Sequence, residues 1–310
     1  MSRSVPLPSI GADEIARLID PAAAAEAVAS VLREGFDPES DPPRTHVPVP
    51  AGQLLLMPAA SGAYAGVKIA GVAPANPTHG LPRITGSYLL LDGATLLPLA
   101  LLDGAALTTL RTPAVSAVAI DHLAEPDAER LVLFGAGPQA YGHLQAALAV
   151  RKLTSLAVVA RRAEAVDALV AYARTLGVEA CGGTPADVAD ADLVICCTTA
   201  REPLFDGSLV GERATVVAVG SHEVDARETD SALVRRAAVY VESRAAALRE
   251  AGDLLVPLAE GAIGPDHPAG TLAELVTGRI SPPPDRPRLF KSVGMAWEDL
   301  AVAAAVHRAL

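Results

Sequence analysis

The chain is predicted to fold as an α/β protein: a doubly wound parallel sheet, preceded by a smaller α+β domain that the C-terminal helix completes. Three observations predict it. From residue 111 onward, short β-branched runs alternate with Ala-rich helical stretches, the pattern of a parallel sheet flanked by helices. Before that point the apolar runs follow one another with only Gly, Pro and Asp between them, the pattern of hairpins. The 310 residues are also enough for one large domain or two ordinary ones, and a chain of this size buries about three quarters of its unfolded surface without disulfide staples.

The elements follow in order. Residues 13–35 read as helix, with Asp13 or Asp20 as cap and Ile15, Leu18, Ile19, Val28 and Leu32 at helical spacing; Pro21 divides the stretch and Gly35 stops it. A Pro-rich loop at 37–43 leads to apolar runs at 47–49, 53–57, 64–72, 84–91 and 97–102, which predict an antiparallel sheet. Residues 47–67 carry no charge and are numerous enough to span a bilayer, but Pro48, Pro50, Gly52, Pro58, Gly62 and Gly66 would break a membrane helix repeatedly, so they read as strands and turns. After a helical stretch from Arg111, strands are expected at 131–134, 156–160, 193–198, 215–219 and 239–242. A proline-dense link at 282–287 precedes a final Ala/Val-rich helix, 297–310, placed to return to the first domain. The expected division is therefore 1–110 completed by 290–310, and 111–289.

Composition narrows the functions. With 36 acidic against 25 basic residues, a formal charge of −11 and no basic runs, a nucleic acid or an anionic membrane is excluded as partner. An anionic ligand must then be held by locally placed cations. At 51% hydrophobic and 20% charged the chain is not disordered, and at 3% aromatic it lacks stacking platforms for single strands. Cys181, Cys196 and Cys197 offer neither zinc spacing nor a disulfide framework, so they read as reduced, buried thiols of a cytoplasmic protein. The opening MSRSVPLPSIGADE lacks the apolar stretch of a secretion signal. His79, His143 and His307 have no partners at metal-ligand spacing, and no metal is expected.

The most informative segment is LVLFGAGPQA, residues 131–140, where an apolar strand runs into Gly135-Ala136-Gly137 and on into a helix. Gly135 permits the tight turn, Gly137 lets a pyrophosphate approach the backbone, and Ala140 lets helix and strand pack closely, with helix N-terminal amides facing the phosphates. Alone, this spacing also fits a purely structural turn; the strand before it and helix after it favour a Rossmann-type dinucleotide site. Sites for NAD usually carry an acid about 20 residues on, at the end of the second strand. Here that strand ends in Arg161 and Arg162, which suit a 2′-phosphate and favour NADP(H) over NAD(H). Both arginines would be equally at home as solvated residues at a helix start.

Several separated segments together are more specific than the glycine loop: GVKIAGVAPANPTHGLP at 66–82, LLLDGATLLPLALLDGAALTTLRTPA at 89–114, FGAGPQA at 134–140, DADLVICCTTAREPLF at 190–205, VAVGS at 217–221 and FKSVGMAWEDLA at 290–301. Through them the chain resembles the ornithine cyclodeaminase/mu-crystallin family over nearly its whole length. The resemblance implies a homodimer whose N-terminal sheet domain forms the subunit interface and, with the last helix, frames a cleft against the nucleotide-binding domain. It implies that Arg44, Lys68 and Arg111 hold the α-carboxylate of a small amino or imino acid. Cations converging on one carboxylate make chemical sense, because such an anchor fixes the reacting carbon for hydride transfer. Lys68 lies inside the apolar run VKIAG, where an unpartnered charge is costly. Arg111 and Thr112 precede an apolar stretch and would serve equally as a helix cap or as cofactor-phosphate contacts. By the same resemblance Pro138, Gln139 and Ala140 line the pyrophosphate turn, Thr198 and Thr199 end the fourth strand near the nicotinamide ribose, and Val219 and Ser292 sit near the nicotinamide.

Cyclodeamination needs a group to orient a distal amine. Where ornithine cyclodeaminases carry an aspartate, VGSHEVDARE places His222; where they carry a glutamate, QLLLMP places Leu55. Glu223 or Asp225 would substitute only in a different loop register. The mu-crystallin branch reduces cyclic imines and needs only a carboxylate clamp, a hydride donor and a proton source. The expected activity is therefore NADPH-dependent reduction of the C=N bond of a small cyclic imino acid, with Lys68 and His222 as proton donors. The competing readings are an ornithine or lysine cyclodeaminase, an alanine- or opine-type amino-acid dehydrogenase, and a binding protein that holds NADP without turnover.

Overall fold

The structure, a computed structural model, describes residues 7–310. The first six residues, part of the stretch in which no secretion signal was expected, lie outside the described residues. Contacts divide the chain into two compact units, residues 1–111 with 295–310 and residues 112–294.

In the first unit, α1 (Ala12–Leu18) and α2 (Pro21–Arg33) are separated by Asp20, whose side chain accepts the Ala23 N–H and caps α2 with Pro21 at its first position. Gly35 ends this pair with φ +94°. One sheet follows, with strands β1 (Ser9–Ile10), β2 (Thr45–Val49), β3 (Gly52–Ser61), β4 (Tyr64–Val72), β5 (Ile84–Asp92) and β6 (Pro98–Asp103) in the order β1-β6-β5-β4-β3-β2. The hairpins from β2 to β6 are antiparallel as the sequence predicts, but β1 pairs parallel to β6, so the sheet is mixed. The final helix α10 (Ala296–Arg308) covers one face of the sheet and packs on α2, with Trp297 fully buried against Phe36. Strand alternation sends Lys68, Ala70 and Val72 to the buried face.

The opposite face is unusual for an antiparallel sheet, which normally turns polar residues outward. Here Leu54, Leu56, Val67, Ile69, Leu89 and Leu91 point out, half-buried or, for Ile69, exposed.

The helix α3 (Gly104–Leu123) starts seven residues earlier than expected, because Asp103 at the end of β6 accepts the N–H groups of Ala105 and Ala106 and starts the helix directly from the strand. Arg111 and Thr112 therefore lie within a helix rather than before one, which removes the capping role for them. The helix also contains Pro113.

The second unit carries an eight-stranded parallel sheet: β7 (Arg130–Phe134), β8 (Ser155–Val159), β9 (Glu179–Gly182), β10 (Leu193–Cys196), β11 (Thr215–Ala218), β12 (Ala238–Val241), β13 (Gly270–Thr271) and β14 (Arg288–Lys291), in the order β13-β12-β14-β11-β10-β7-β8-β9. The reversal of order at β7 and β10 is the switch point at which open α/β sheets bind ligands. The helices are α4 (Pro138–Val150), α5 (Ala163–Thr175), α6 (Ser231–Arg236), α7 (Arg244–Glu250), α8 (Gly252–Ala259) and α9 (Leu272–Val276). Three strands were not expected. Of these, β14 inserts between β11 and β12, drawing residues 288–291 into this unit. Cys181 is exposed, not buried, because β9 is the sheet edge; Cys196 is buried and Cys197 half-buried. Among the described residues no helix is long and apolar enough to cross a membrane.

Candidate active site

Two groups of residues are described, one in each unit. In the first unit Lys68 extends from β4, Arg111 from α3, and Glu298 and Asp299 from the first turn of α10. Lys68 Nζ lies 2.6 Å from Asp299 Oδ2, and Arg111 reaches the same carboxylate with Nε at 3.1 Å from Oδ1. Arg111 Nη1 is 2.7 Å from Glu298 Oε2. All four side chains are buried, the two acids completely. Sequence reasoning brought Lys68 and Arg111 together but missed Glu298 and Asp299, which neutralise them. Burial pushes the Lys68 ammonium down to about 8; Asp299 opposes the fall, while Arg111 and Arg44 add to it.

Arg44 is half-buried and follows a loop that is tied down. The N-terminus of α10 has no cap of its own from Met295, and Asp41 supplies one from the Pro-rich loop, its Oδ2 accepting the N–H groups of Ala296 at 3.0 Å and Trp297 at 3.3 Å. This fixes a position three residues before Arg44, close enough for its charge to act on Lys68. Tyr88 stands opposite Lys68 in register, fully buried, and burial followed by Asp299 and Asp41 holds its phenol well above the ordinary range. Leu55 pairs with Ala70 across β3 and β4, and with Val72 they form a small apolar cluster on the Lys68 face.

In the second unit the glycine loop joins β7 to α4. Gly135 has φ +113°, a conformation natural to glycine, and its N–H donates to Val159 O at 2.9 Å, holding the turn against β8. A Cβ there would stand 2.8 Å from the Cys197 carbonyl oxygen. Gly137 caps α4 without a side chain, Pro138 takes the first helical position, and a Cβ on Gly137 would meet nothing within 4 Å. That open approach beside a helix N-terminus suits a pyrophosphate, and the fully buried Ala140 fits close helix–strand packing. Arg161 and Arg162 are both exposed just beyond β8, Arg162 standing at the N-cap of α5. The residues present thus fit a dinucleotide. Thr112, buried on α3, offers its carbonyl to Ser116 Oγ at 3.2 Å. His143, with no role assigned from sequence, is completely buried between Ser116 and the Gln139 carbonyl, and burial pushes it down to about 4, so it is a neutral brace for the loop carrying Gln139.

The remaining predicted residues lie just past the strand ends: Thr198 and Thr199 beyond β10, Val219 beyond β11, and Ser292 beyond β14. Buried acids that sequence reasoning missed hold these loops. Glu228 accepts from Thr198 N and Thr198 Oγ1 and, through its other oxygen, from Gly220 N at 2.7 Å, tying the loop after β10 to the loop after β11. Burial raises the Glu228 carboxyl, with Lys291 opposing. Burial would likewise raise Asp253, but Lys291, 3.0 Å away, and the Thr229 bonds hold it below the ordinary range. Glu242 receives Ser292 Oγ at 2.5 Å and Val293 N at 2.8 Å. His222 is half-buried in the loop after β11. Its neighbours Glu223 and Asp225 both pair with Arg201, at 2.7 and 2.6 Å, on the surface, so neither is directed to anchoring an amine.

Comparison with known proteins finds relatives over nearly the whole chain. Residues 14–310 match the family described as "Ornithine cyclodeaminase/mu-crystallin family". The Δ(1)-pyrroline-2-carboxylate reductase of Colwellia psychrerythraea is 38% identical over 234 residues, 74% of each chain. The ketimine reductase mu-crystallin of Rattus norvegicus is 35% identical over 270 residues, 86% of this chain and 84% of its own. The solved structure of Thermococcus litoralis Δ(1)-pyrroline-2-carboxylate reductase in complex with NADH and L-proline superposes with a TM-score of 0.92 at 32% identity, over 98% of this chain and 97% of that one.

Proposed function

Because the chain belongs to the ornithine cyclodeaminase/mu-crystallin family, we propose that it is a nicotinamide-dependent oxidoreductase that reduces the C=N bond of a small cyclic imino acid, such as Δ1-pyrroline-2-carboxylate, to the amino acid. The observation that carries the reading is a buried cation cluster beside an apolar one: Lys68 and Arg111 converge, and Leu55, Ala70 and Val72 line the same sheet face. A carboxylate fits the first and a ring of methylenes the second, whereas a distal ammonium finds Leu55 where cyclodeaminases carry an acid. The pairing of Glu223 and Asp225 with Arg201 further disfavours cyclodeamination.

Residues 1–111 with α10 then act as the substrate-binding unit and residues 112–294 as the dinucleotide-binding unit. The dinucleotide is held by the turn of Gly135, Gly137, Pro138, Gln139 and Ala140, with Thr112, Thr198, Thr199, Val219 and Ser292 around it, and supplies the hydride when bound. Arg44, Lys68 and Arg111 hold the α-carboxylate and so orient the imine carbon. With an ammonium pushed down to about 8, Lys68 is protonated at neutral pH yet able to release its proton, and it protonates the imine nitrogen with His222 as the second donor. Arg161 and Arg162, standing where NAD sites carry an acid, give NADP(H) the preference.

The outward apolar face around Ile69 is the dimer interface: a sheet that is apolar on both faces needs a cover on each, and a second copy brings a matching face. We place the enzyme in the cytoplasm, where an exposed thiol such as Cys181 stays reduced. The test is a panel assay that follows NADPH absorbance with cyclic imino acids, keto acids plus amines, and ornithine. Oxidation with Δ1-pyrroline-2-carboxylate or its six-membered homologue, without any amine requirement, is expected. Conversion of ornithine to proline without imine reduction, or a strict need for ammonia, overturns the reading.

A further inference from the structure

We propose that Asp299 is a positioning residue, holding Lys68 and Arg111 on one carboxylate so that both cations face a single ligand carboxylate and Lys68 keeps its charge. The inference rests on the imine-reductase reading for its kinetic arm only. Asp299 is completely buried, its two oxygens are divided between Lys68 Nζ and Arg111 Nε, and the helix turn that carries it is itself fastened by Asp41 and by Glu298 on Arg111. An ammonium and a guanidinium from different elements repel each other, and only an anion between them stabilises their approach.

Lys68 sits in a cluster whose polar and charged groups come from four elements. Asp299 and Glu298 come from α10, Arg111 and Thr108 from α3, Arg44 and Asp41 from the loop before β2, and Tyr88 from β5. Burial, Arg111 and Arg44 lower the ammonium, and Asp299 is the group that raises it. Below about 8 Lys68 carries its proton and adds its charge to the carboxylate clamp; above that pH its share is lost while Arg44 and Arg111 remain charged. Removing the Asp299 charge moves this boundary to lower pH.

The chain has only three lysines, Lys68, Lys152 and Lys291, so 13Cε-lysine NMR can follow each through a pH titration. In the wild type the Lys68 signal is expected to titrate near 8. In Asp299→Asn it should titrate more than about one pH unit lower, roughly the effect of losing one close opposite charge. Asp299→Glu should restore most of the shift. In parallel, the alkaline limb of kcat/KM for Δ1-pyrroline-2-carboxylate should move to lower pH in Asp299→Asn while kcat at pH 6 changes less than KM. A Lys68 signal unmoved in an Asp299→Asn protein that melts as a folded chain overturns the proposal. If the wild type reduces no imine, the proposed function fails while the NMR titration still decides this inference.

Discussion

Substitution Arg111→Met removes one cation from a place where two carboxylates have no access to water. Methionine approximates the length of the arginine stem and keeps the apolar packing, so the change is mainly one of charge. Glu298 loses its 2.7 Å contact with Nη1 and Asp299 its 3.1 Å contact with Nε, although Asp299 retains Lys68. Breaking a buried ion pair from one side costs about 3–5 kcal/mol. Because Asp299 keeps its Lys68 contact, the lower end applies. About 3 kcal/mol corresponds to a fall in Tm of about 6–12 °C, at about 2–4 °C per kcal/mol for units of this size. Loss of a charge-assisted contact to the substrate carboxylate, worth about 1.5–3 kcal/mol, lowers kcat/KM by a further 10- to 150-fold or so. Thermal melts at pH 7 and NADPH-depletion kinetics read the two effects separately. Adding Glu298→Gln to Arg111→Met should recover part of the Tm, since the buried charge that lost its Arg111 contact is gone, but none of the activity. A single variant that melts within about 2 °C of the wild type, or a double variant whose losses simply add, would show that Arg111 does not neutralise these acids.

Other expectations are as direct. Replacing Arg161 and Arg162 by alanine should raise KM for NADPH by about tenfold or more, the worth of one or two charge-assisted phosphate contacts, and leave KM for NADH nearly unchanged; parallel changes for both cofactors would leave NADP without its anchor. Gly135→Ala should abolish dinucleotide binding, measured by calorimetry, because its Cβ would meet the Cys197 carbonyl at 2.8 Å and its φ of +113° suits glycine alone; normal binding would show that the turn tolerates a side chain. Ile69→Asp, on the outward sheet face, should convert a dimer into a monomer in light scattering without lowering the helical content; an unchanged mass would place the interface elsewhere.

The parallel sheet was legible in the sequence because short β-branched runs, most of them followed by a helical stretch, suit few architectures besides strands and helices in alternation. The glycine loop was legible because Gly135 and Gly137 answer to distinct steric needs at fixed spacing. The buried charges were not. Arg111 and Asp299 meet across 188 residues, and nothing in the local pattern of FKSVGMAWEDLA distinguishes a solvated acid pair from a buried one. The same holds for Glu228 and Asp253, whose burial depends on which loops the strand order brings together. The start of α3 was missed because Asp103 ends a strand and caps a helix at once, and strand alternation masked the cap. A signal was nevertheless present: Lys68 inside an apolar run demands a buried acid somewhere, and the helix nearest the C-terminus carries two acids in an otherwise Ala/Val-rich stretch.

Imine reduction at this site requires that hydride pass to the imine carbon of a small cyclic imino acid anchored through its carboxylate. Supplying NADPH with deuterium at the transferable C4 position together with Δ1-pyrroline-2-carboxylate, and analysing the product by mass spectrometry, follows that transfer atom by atom. Proline heavier by one deuterium, at the carbon that bears the carboxylate, is expected from the wild type, and loss of that product from Lys68→Met. Unlabelled proline, or no proline from a protein that binds both ligands, would rule the transfer out.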